Sequence, residues 1–171
     1  MQTVLVSPSA KHAKSWREAL DEFESEDREG FWNIPSKPTN IEDYVQRVEN
    51  HAQGIDLPGS GVPSTTFWLI DDDRFIGHIN IRHELNERLE RIGGNIGYAI
   101  RPSERNKGYG AQILALALPY AMDIGLKEAL ITCDNDNIAS QKIILRNGGV
   151  FTENIEVEGR LLKHYKVVLT N

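Results

Sequence analysis

Residues Ile96 to Ala121, IGYAIRPSERNKGYGAQILALALPYA, constrain the fold more than any other stretch. Ile96, Tyr98 and Ile100 alternate as along a short strand, and Arg101-Pro102 ends it, because proline lacks an amide donor and biases its predecessor towards extended backbone. A charged turn, Ser103 to Lys107, leads to Gly108-Tyr109-Gly110. Beyond it Ile113, Leu114, Leu116, Ala117, Tyr120 and Ala121 recur at the three-and-four spacing of one helix face. A strand that feeds a glycine turn into a helix N-terminus makes an anion site. The first amides there lack intrahelical acceptors, the dipole favours negative charge, and glycine permits close approach. Asn106 to Ala111 are therefore expected to cradle a phosphate or pyrophosphate, with Arg105 and Lys107 adding charge. Two glycines alone would say no more than an ordinary strand-to-helix turn.

The common phosphate motifs are excluded. A dinucleotide fingerprint requires glycine where Ile113 stands, and a Walker loop requires Gly-Lys-Ser/Thr, whereas Lys107 precedes Gly108. What remains is Arg-x-x-Gly-x-Gly, Arg105 to Gly110, after a strand closed by Pro102. Downstream come a strand Ala129 to Cys133 and Asn137-Ile-Ala-Ser140, which opens a helix ending at Asn147-Gly148-Gly149. In this order the segments resemble the GCN5-related N-acetyltransferase (GNAT) superfamily, whose acetyl-coenzyme A pyrophosphate loop is Gln/Arg-x-x-Gly-x-Gly/Ala. Asn137-x-x-Ser140 with Asn147-Gly-Gly is similar to its ribosomal-protein-acetyltransferase branch.

With 171 residues the chain reads as one domain, 1–171, able to bury about two thirds of its unfolded surface. No apolar run approaches bilayer length, and the N-terminus lacks a signal peptide's basic start and apolar core, so no membrane partner is expected. The single cysteine, Cys133, excludes an internal disulfide framework and suits a reducing, cytoplasmic setting. A net charge of −6 gives nucleic acid no global attraction. Acidity of this size either serves solubility alone or favours a cationic acceptor, such as an amine or a basic peptide terminus.

Taken in order, the chain predicts a strand over Thr3 to Val6 and a helix over Ala10 to Glu26 capped by Ser7 or Ser9. The irregular stretch Gly30 to Pro38 carries Phe31 and Trp32, and a second helix over Ile41 to Gln53 is capped by Asn40. Gly54 to Ser64, rich in glycine and proline, reads as loop. Strands Thr65 to Ile70 and Phe75 to Arg82 flank the turn Asp71-Asp72-Asp73, which lacks the spacing of a calcium loop. Glu84 to Arg91 is a charged connection. Pro119 should kink or shorten the helix that contains it. A helix over Ile138 to Arg146 and two closing strands about Glu158-Gly159 complete the order βααβββαβαββ. The expected class is α/β, an open mixed sheet of α+β type with the acyl-coenzyme A N-acyltransferase fold that the resemblance implies.

The resemblance further implies where acetyl-coenzyme A, as cosubstrate, would lie. The strand before the loop would splay from its neighbour, so Tyr98, Ala99 and Ile100 would offer main-chain groups to pantetheine. The pyrophosphate would lie on Arg105, Asn106, Lys107, Gly108, Tyr109, Gly110 and Ala111, and Asn137 would contact the pantetheine arm while also acting as an N-cap. The tyrosine that many members use to protonate the departing thiolate has its counterpart at Ile144. Ser140 stands instead as thiolate donor or hydrogen-bond partner, against the alternative of a helix-entry serine. For the base, His78, Asn80, Arg82 and Glu84 alternate to one face of the third strand while Phe75, Ile79 and Ile81 take the other. Glu84 is the first candidate and His78 or His83 the second.

The five histidines are scattered without ligand spacing, so no metal is implied. Cys133 could offer an acyl-cysteine route, but a small buried residue explains it as well. These features predict an N-acetyltransferase that passes acetyl to a primary amine of a small molecule or peptide by direct attack. Two alternatives are a non-catalytic acyl-coenzyme A sensor and an interaction domain without cofactor. The helices bearing Trp16, Phe31, Trp32 and Tyr44 and the loop Gly54 to Ser64 are expected to shape the acceptor pocket, and an exposed last strand could pair two copies as a homodimer.

Overall fold

A computed structural model describes residues 3–26 and 40–169. Phe31 and Trp32 lie outside them. The chain runs β1 (Val4–Val6), a 3-10 turn (Ala10–His12), α1 (Ala13–Glu24), α2 (Ile41–Ala52), β2 (Ser64–Asp71) and β3 (Arg74–Arg82). It continues through α3 (Glu87–Arg91), β4 (Ile96–Ile100), a 3-10 turn (Pro102–Glu104), α4 (Tyr109–Asp123), β5 (Glu128–Asp134), α5 (Ile138–Arg146), β6 (Val150–Val157) and β7 (Arg160–Val168). This is the predicted order with one helix added, α3, inside the charged connection. Asn86 caps α3 by accepting from the Leu89 amide at 3.0 Å. Asn40 caps α2 by accepting from the Glu42 and Asp43 amides, as expected.

The mixed sheet is not continuous. Strands pair antiparallel throughout, as one sheet in the order β1-β2-β3-β4 and a second in the order β5-β7-β6. β4 and β5, linked by α4, touch at one end only. There the Asn95 amide donates to the Leu130 carbonyl at 2.7 Å and Asn95 Oδ1 accepts from the Leu130 amide at 2.9 Å. β7, predicted as an exposed last strand, is the middle strand of its sheet, and the exposed edge is β6.

Two apolar clusters lie on opposite faces of the first sheet. One packs Ile79, Ile81, Ile96 and Ile100 against Ile113, Leu114 and Ala117 of α4, and extends to Ile131 and Ile144. The other stacks Trp16, Tyr44, Trp68 and Phe75 beneath α1 and α2. Phe75 thus shares the face of His78 and not that of Ile79. Ile76 is the extra residue of a bulge, since Leu69 pairs with Gly77 and Ile70 with Phe75, and a bulge reverses the alternation. Pro119 neither breaks nor shortens α4. Proline has no amide to donate to the Ala115 carbonyl, and Ala115 and Pro119 share the exposed face of the helix, where losing that bond costs least.

Candidate active site

The β4–α4 connection is a loop of exposed amides that leads into a helix N-terminus. Asn106 and Gly108 adopt positive φ, 63° and 90°, and this turns successive amides of the loop towards one side. Among the described residues no acceptor meets the amides of Asn106, Lys107, Gly108, Tyr109 or Gly110, whereas Ala111 and Gln112 already donate to the Gly108 carbonyl. A Cβ at Gly108 would meet nothing within 4 Å, so the space beside it is open. Gly110 has a different reason to be glycine: its Cβ would strike Ile143 Cδ1 at 2.4 Å, so it sets the close approach of α4 to α5. Asn147 ties the same helices together by donating to the Ala111 carbonyl at 3.1 Å.

The basic side chains of the loop are already engaged. Arg105 forms a two-pronged pair with Glu26, Nη2 to Oε2 at 2.9 Å, and its Nε donates to the Ile100 carbonyl at 3.1 Å. Lys107 pairs with the buried Glu104 at 3.0 Å. Arg101 is held by Glu22 at 2.7 Å and by Ser15 Oγ at 3.2 Å. Glu18, Glu22 and Glu26, one helical turn apart, therefore face the loop base, and these two arginines fix the loop more than they charge it. Although burial opposes it, hydrogen bonds from Ser103 and Arg101 hold the Glu22 carboxyl below its ordinary range.

From Asn95 onwards β4 parts from β5. The Arg101 amide donates to the Ile76 carbonyl and the Asn95 carbonyl accepts from Arg82, so odd-numbered residues of β4 direct their main chain at β3. Tyr98 and Ile100 direct theirs into the gap, and Ala99 does not. Across the gap the Tyr98 hydroxyl donates to Ser140 Oγ at 3.4 Å. Burial raises the Tyr98 pKa, which keeps the phenol protonated. Asn137 caps α5 through the Ser140 amide at 3.1 Å. Ile144 is fully buried in the core and Cys133 is nearly so, its thiol pushed up to about 11 by burial.

On the α2 side of the sheet lies a cavity of about 690 Å³. Its floor is set by cross-strand register: His78 stands alone, Asn80 pairs with Thr66 and Arg82 pairs with Ser64. Asn80 Nδ2 donates to Ser64 Oγ at 3.1 Å and to Thr66 Oγ1 at 3.0 Å. His78 is buried in the cavity, and desolvation pulls its pKa down to about 4. Tyr44 of α2 and the loop 57–62 form the opposite wall, while Trp16 belongs to the core.

Glu84, the first candidate for a base, lies beyond the end of β3 on an exposed bend and outside the cavity lining. The last ladder bonds of the strand run from the Arg82 amide to the Asn95 carbonyl and from the His83 amide to the Pro63 carbonyl, and Glu84 lies beyond both. His83 pairs with Thr65 Oγ1 at 2.8 Å and is likewise outside the cavity lining. Of the three, His78 alone reaches the cavity. The sequence reading missed the clamp at Asn95 and the Tyr98 hydroxyl. An Asn at a glycine-led strand entry was the available signal for the first.

The acetyltransferase (GNAT) domain profile matches residues 4–150. The chain belongs to the GNAT acetyltransferase family. This GNAT chain is an acyltransferase, and the relatives agree. It is 26% identical over 143 residues to the uncharacterized N-acetyltransferase YnaD of Bacillus subtilis strain 168, covering 80% of this chain and 81% of the relative. Among solved structures, the fold matches RimL, a ribosomal L7/L12 alpha-N-protein acetyltransferase in complex with coenzyme A. The TM-score is 0.67 at 16% identity over 99% of this chain and 95% of that one. It also matches the microcin C7 self-immunity acetyltransferase MccE, in complex with acetyl-coenzyme A and AMP. There the TM-score is 0.70 at 17% identity over 98% and 92%. Among the described residues of this GNAT chain no helix is long and apolar enough to cross a membrane.

Proposed function

We propose that this chain transfers acetyl from acetyl-coenzyme A to a primary amine by direct attack. The observation that carries the proposal is the junction of an anion cradle with an unpaired strand edge. Five loop amides without acceptors adjoin the main chain of Tyr98 and Ile100, which faces an open gap. The residues present fit the cosubstrate. The Asn106–Gly110 amides and the open space beside Gly108 suit its pyrophosphate, and the Tyr98 and Ile100 edge suits the amides of pantetheine.

Bound acetyl-coenzyme A supplies an activated acetyl thioester. The Ile100 amide donates to the thioester oxygen as negative charge develops there, while its carbonyl stays occupied by Arg105. His78 Nδ1 or Nε2, neutral through the physiological range, accepts the proton that the attacking nitrogen must shed, from a position that lines the cavity and pairs across the strands with Ala99 of β4. Ser140 gives its hydroxyl proton to the departing sulfur and takes one from the Tyr98 hydroxyl, and as the products leave solvent returns a proton to Tyr98 and removes the one held by His78. A phenol brought to Ser140 from β4 supplies what Ile144 cannot, and this favours an enzyme over a sensor.

The test is mass spectrometry of amine panels incubated with the protein and acetyl-coenzyme A. Enzyme-dependent acetylation of a primary amine supports the proposal, and its absence across small-molecule and peptide amines counts against it.

A further inference from the structure

A chain of net charge −6 lines its large cavity with bases. Arg47, Arg82, Arg88, His51 and His78 border it, and among the described residues no aspartate or glutamate does. Other arginines of this molecule are paired with carboxylates: Arg74 with Glu104, Arg101 with Glu22, Arg105 with Glu26 and Arg160 with Asp134. Arg82 differs. Its Nη1 donates to the carbonyls of Gly93 and Gly94 at 3.2 and 2.9 Å, and among the described residues no carboxylate reaches its half-buried guanidinium. Arg47, exposed at the mouth, lies over the Tyr44 ring at 5.5 Å and also lacks a carboxylate partner among the described residues. A partly desolvated guanidinium without a counter-charge is costly unless an anion joins it, and the planar fork suits a carboxylate or phosphate.

We infer that the acceptor is an amine carrying an oxyanion, a carboxylate or phosphate, received by Arg82 and Arg47 while the amine lies towards His78. The inference rests on taking this cavity as the acceptor site of the proposed reaction. His78 and Arg82 are four positions apart along the strand, about 13 Å between their backbones. Amine and oxyanion therefore sit several bonds apart, as in a short peptide or an aminoalkyl phosphate. A volume of about 690 Å³ holds molecules of that size. The global acidity, which on the sequence favoured a cationic acceptor or solubility, is absent from the cavity wall.

The experiment is calorimetric titration, with and without coenzyme A, using probe pairs that differ in the anion. These are alanyl-glutamate against alanyl-glutamine amide and O-phosphoethanolamine against ethanolamine, with spermidine as the cationic control. At least one oxyanion probe should bind about tenfold tighter than its neutral twin, and the two arms identify carboxylate or phosphate. The preference should shrink with added salt and in Arg82→Gln. Arg47→Gln, on an exposed helix position, should reduce it as well and keeps the test valid where Arg82→Gln fails to fold. Equal binding of the twins, preference for spermidine, or no binding of any oxyanion probe would overturn the inference. Loss of acetyl-coenzyme A binding by the wild type would instead remove the acetyltransferase proposal, so the two failures are read apart.

Discussion

The Tyr98 hydroxyl and Ser140 Oγ meet at 3.4 Å across the gap that opens beyond Asn95, joining β4 to the first turn of α5. If this pair delivers the proton to the leaving sulfur, Ser140→Ala should lower kcat about 100-fold, and Tyr98→Phe about tenfold, with the KM for acetyl-coenzyme A little changed. The double variant should be no slower than Ser140→Ala, because the two hydroxyls act in series. Steady-state thiol release measures all three, and a Ser140→Ala enzyme with full kcat contradicts the relay.

His78 gives a stability that depends on pH. Its neighbours across the sheet, Trp68 and Ala99, carry no charge, and burial holds its folded pKa near 4 against an ordinary 6.5. The folded state therefore binds fewer protons than the unfolded chain between these values. The contribution is complete above pH 6.5 and is lost as pH falls towards 4, in total about 3 kcal/mol. Urea unfolding from pH 7 to 4 should show a steeper loss for wild type than for His78→Asn. In activity, kcat/KM should rise with pH through the acceptor ammonium's own pKa, with no limb near 6.5.

Asn95 satisfies both main-chain groups of Leu130 and donates through Nδ2 to the Arg82 carbonyl at 3.4 Å. Asn95→Ala keeps the backbone bond but leaves the Leu130 amide unpaired. The expected cost is about 2–3 kcal/mol, read as a shift of the urea midpoint at constant slope.

Pro119→Ala should act in the opposite direction. It restores an amide donor to the Ala115 carbonyl on the exposed face of α4 and removes a poor helix former, for a gain of about 1–3 kcal/mol in unfolding free energy.

Much of this was legible in the sequence because it is local. The strand, turn and helix from Ile96 to Asp123 follow from alternation, proline and helical spacing, and the caps at Asn40 and Asn137 follow from side-chain chemistry. What was illegible depends on contacts far apart in the chain. Glu26 claims Arg105 from 79 positions away, so a cation that reads as free for phosphate serves to fix the loop. Gly110 reads as a phosphate glycine until Ile143 is seen beside it. The bulge at Ile76 moves Phe75 to the His78 face, and simple alternation has no means to detect an extra residue. Glu84 continues the spacing of His78, Asn80 and Arg82 in the sequence, but β3 ends at Arg82 and the row ends with it.

The central claim is that the α4 N-terminus holds the pyrophosphate of acetyl-coenzyme A. It is tested most directly by calorimetric titration of wild type, Gly108→Ala and Gly108→Asp, with a thermal melt of each as a check on folding. Both variants bear the same backbone strain at φ 90° and only one adds negative charge. Micromolar binding by wild type, retained though weaker in Gly108→Ala and abolished in a folded Gly108→Asp, is the predicted result. Equal affinity in wild type and Gly108→Asp, or no binding by the wild type, would contradict it.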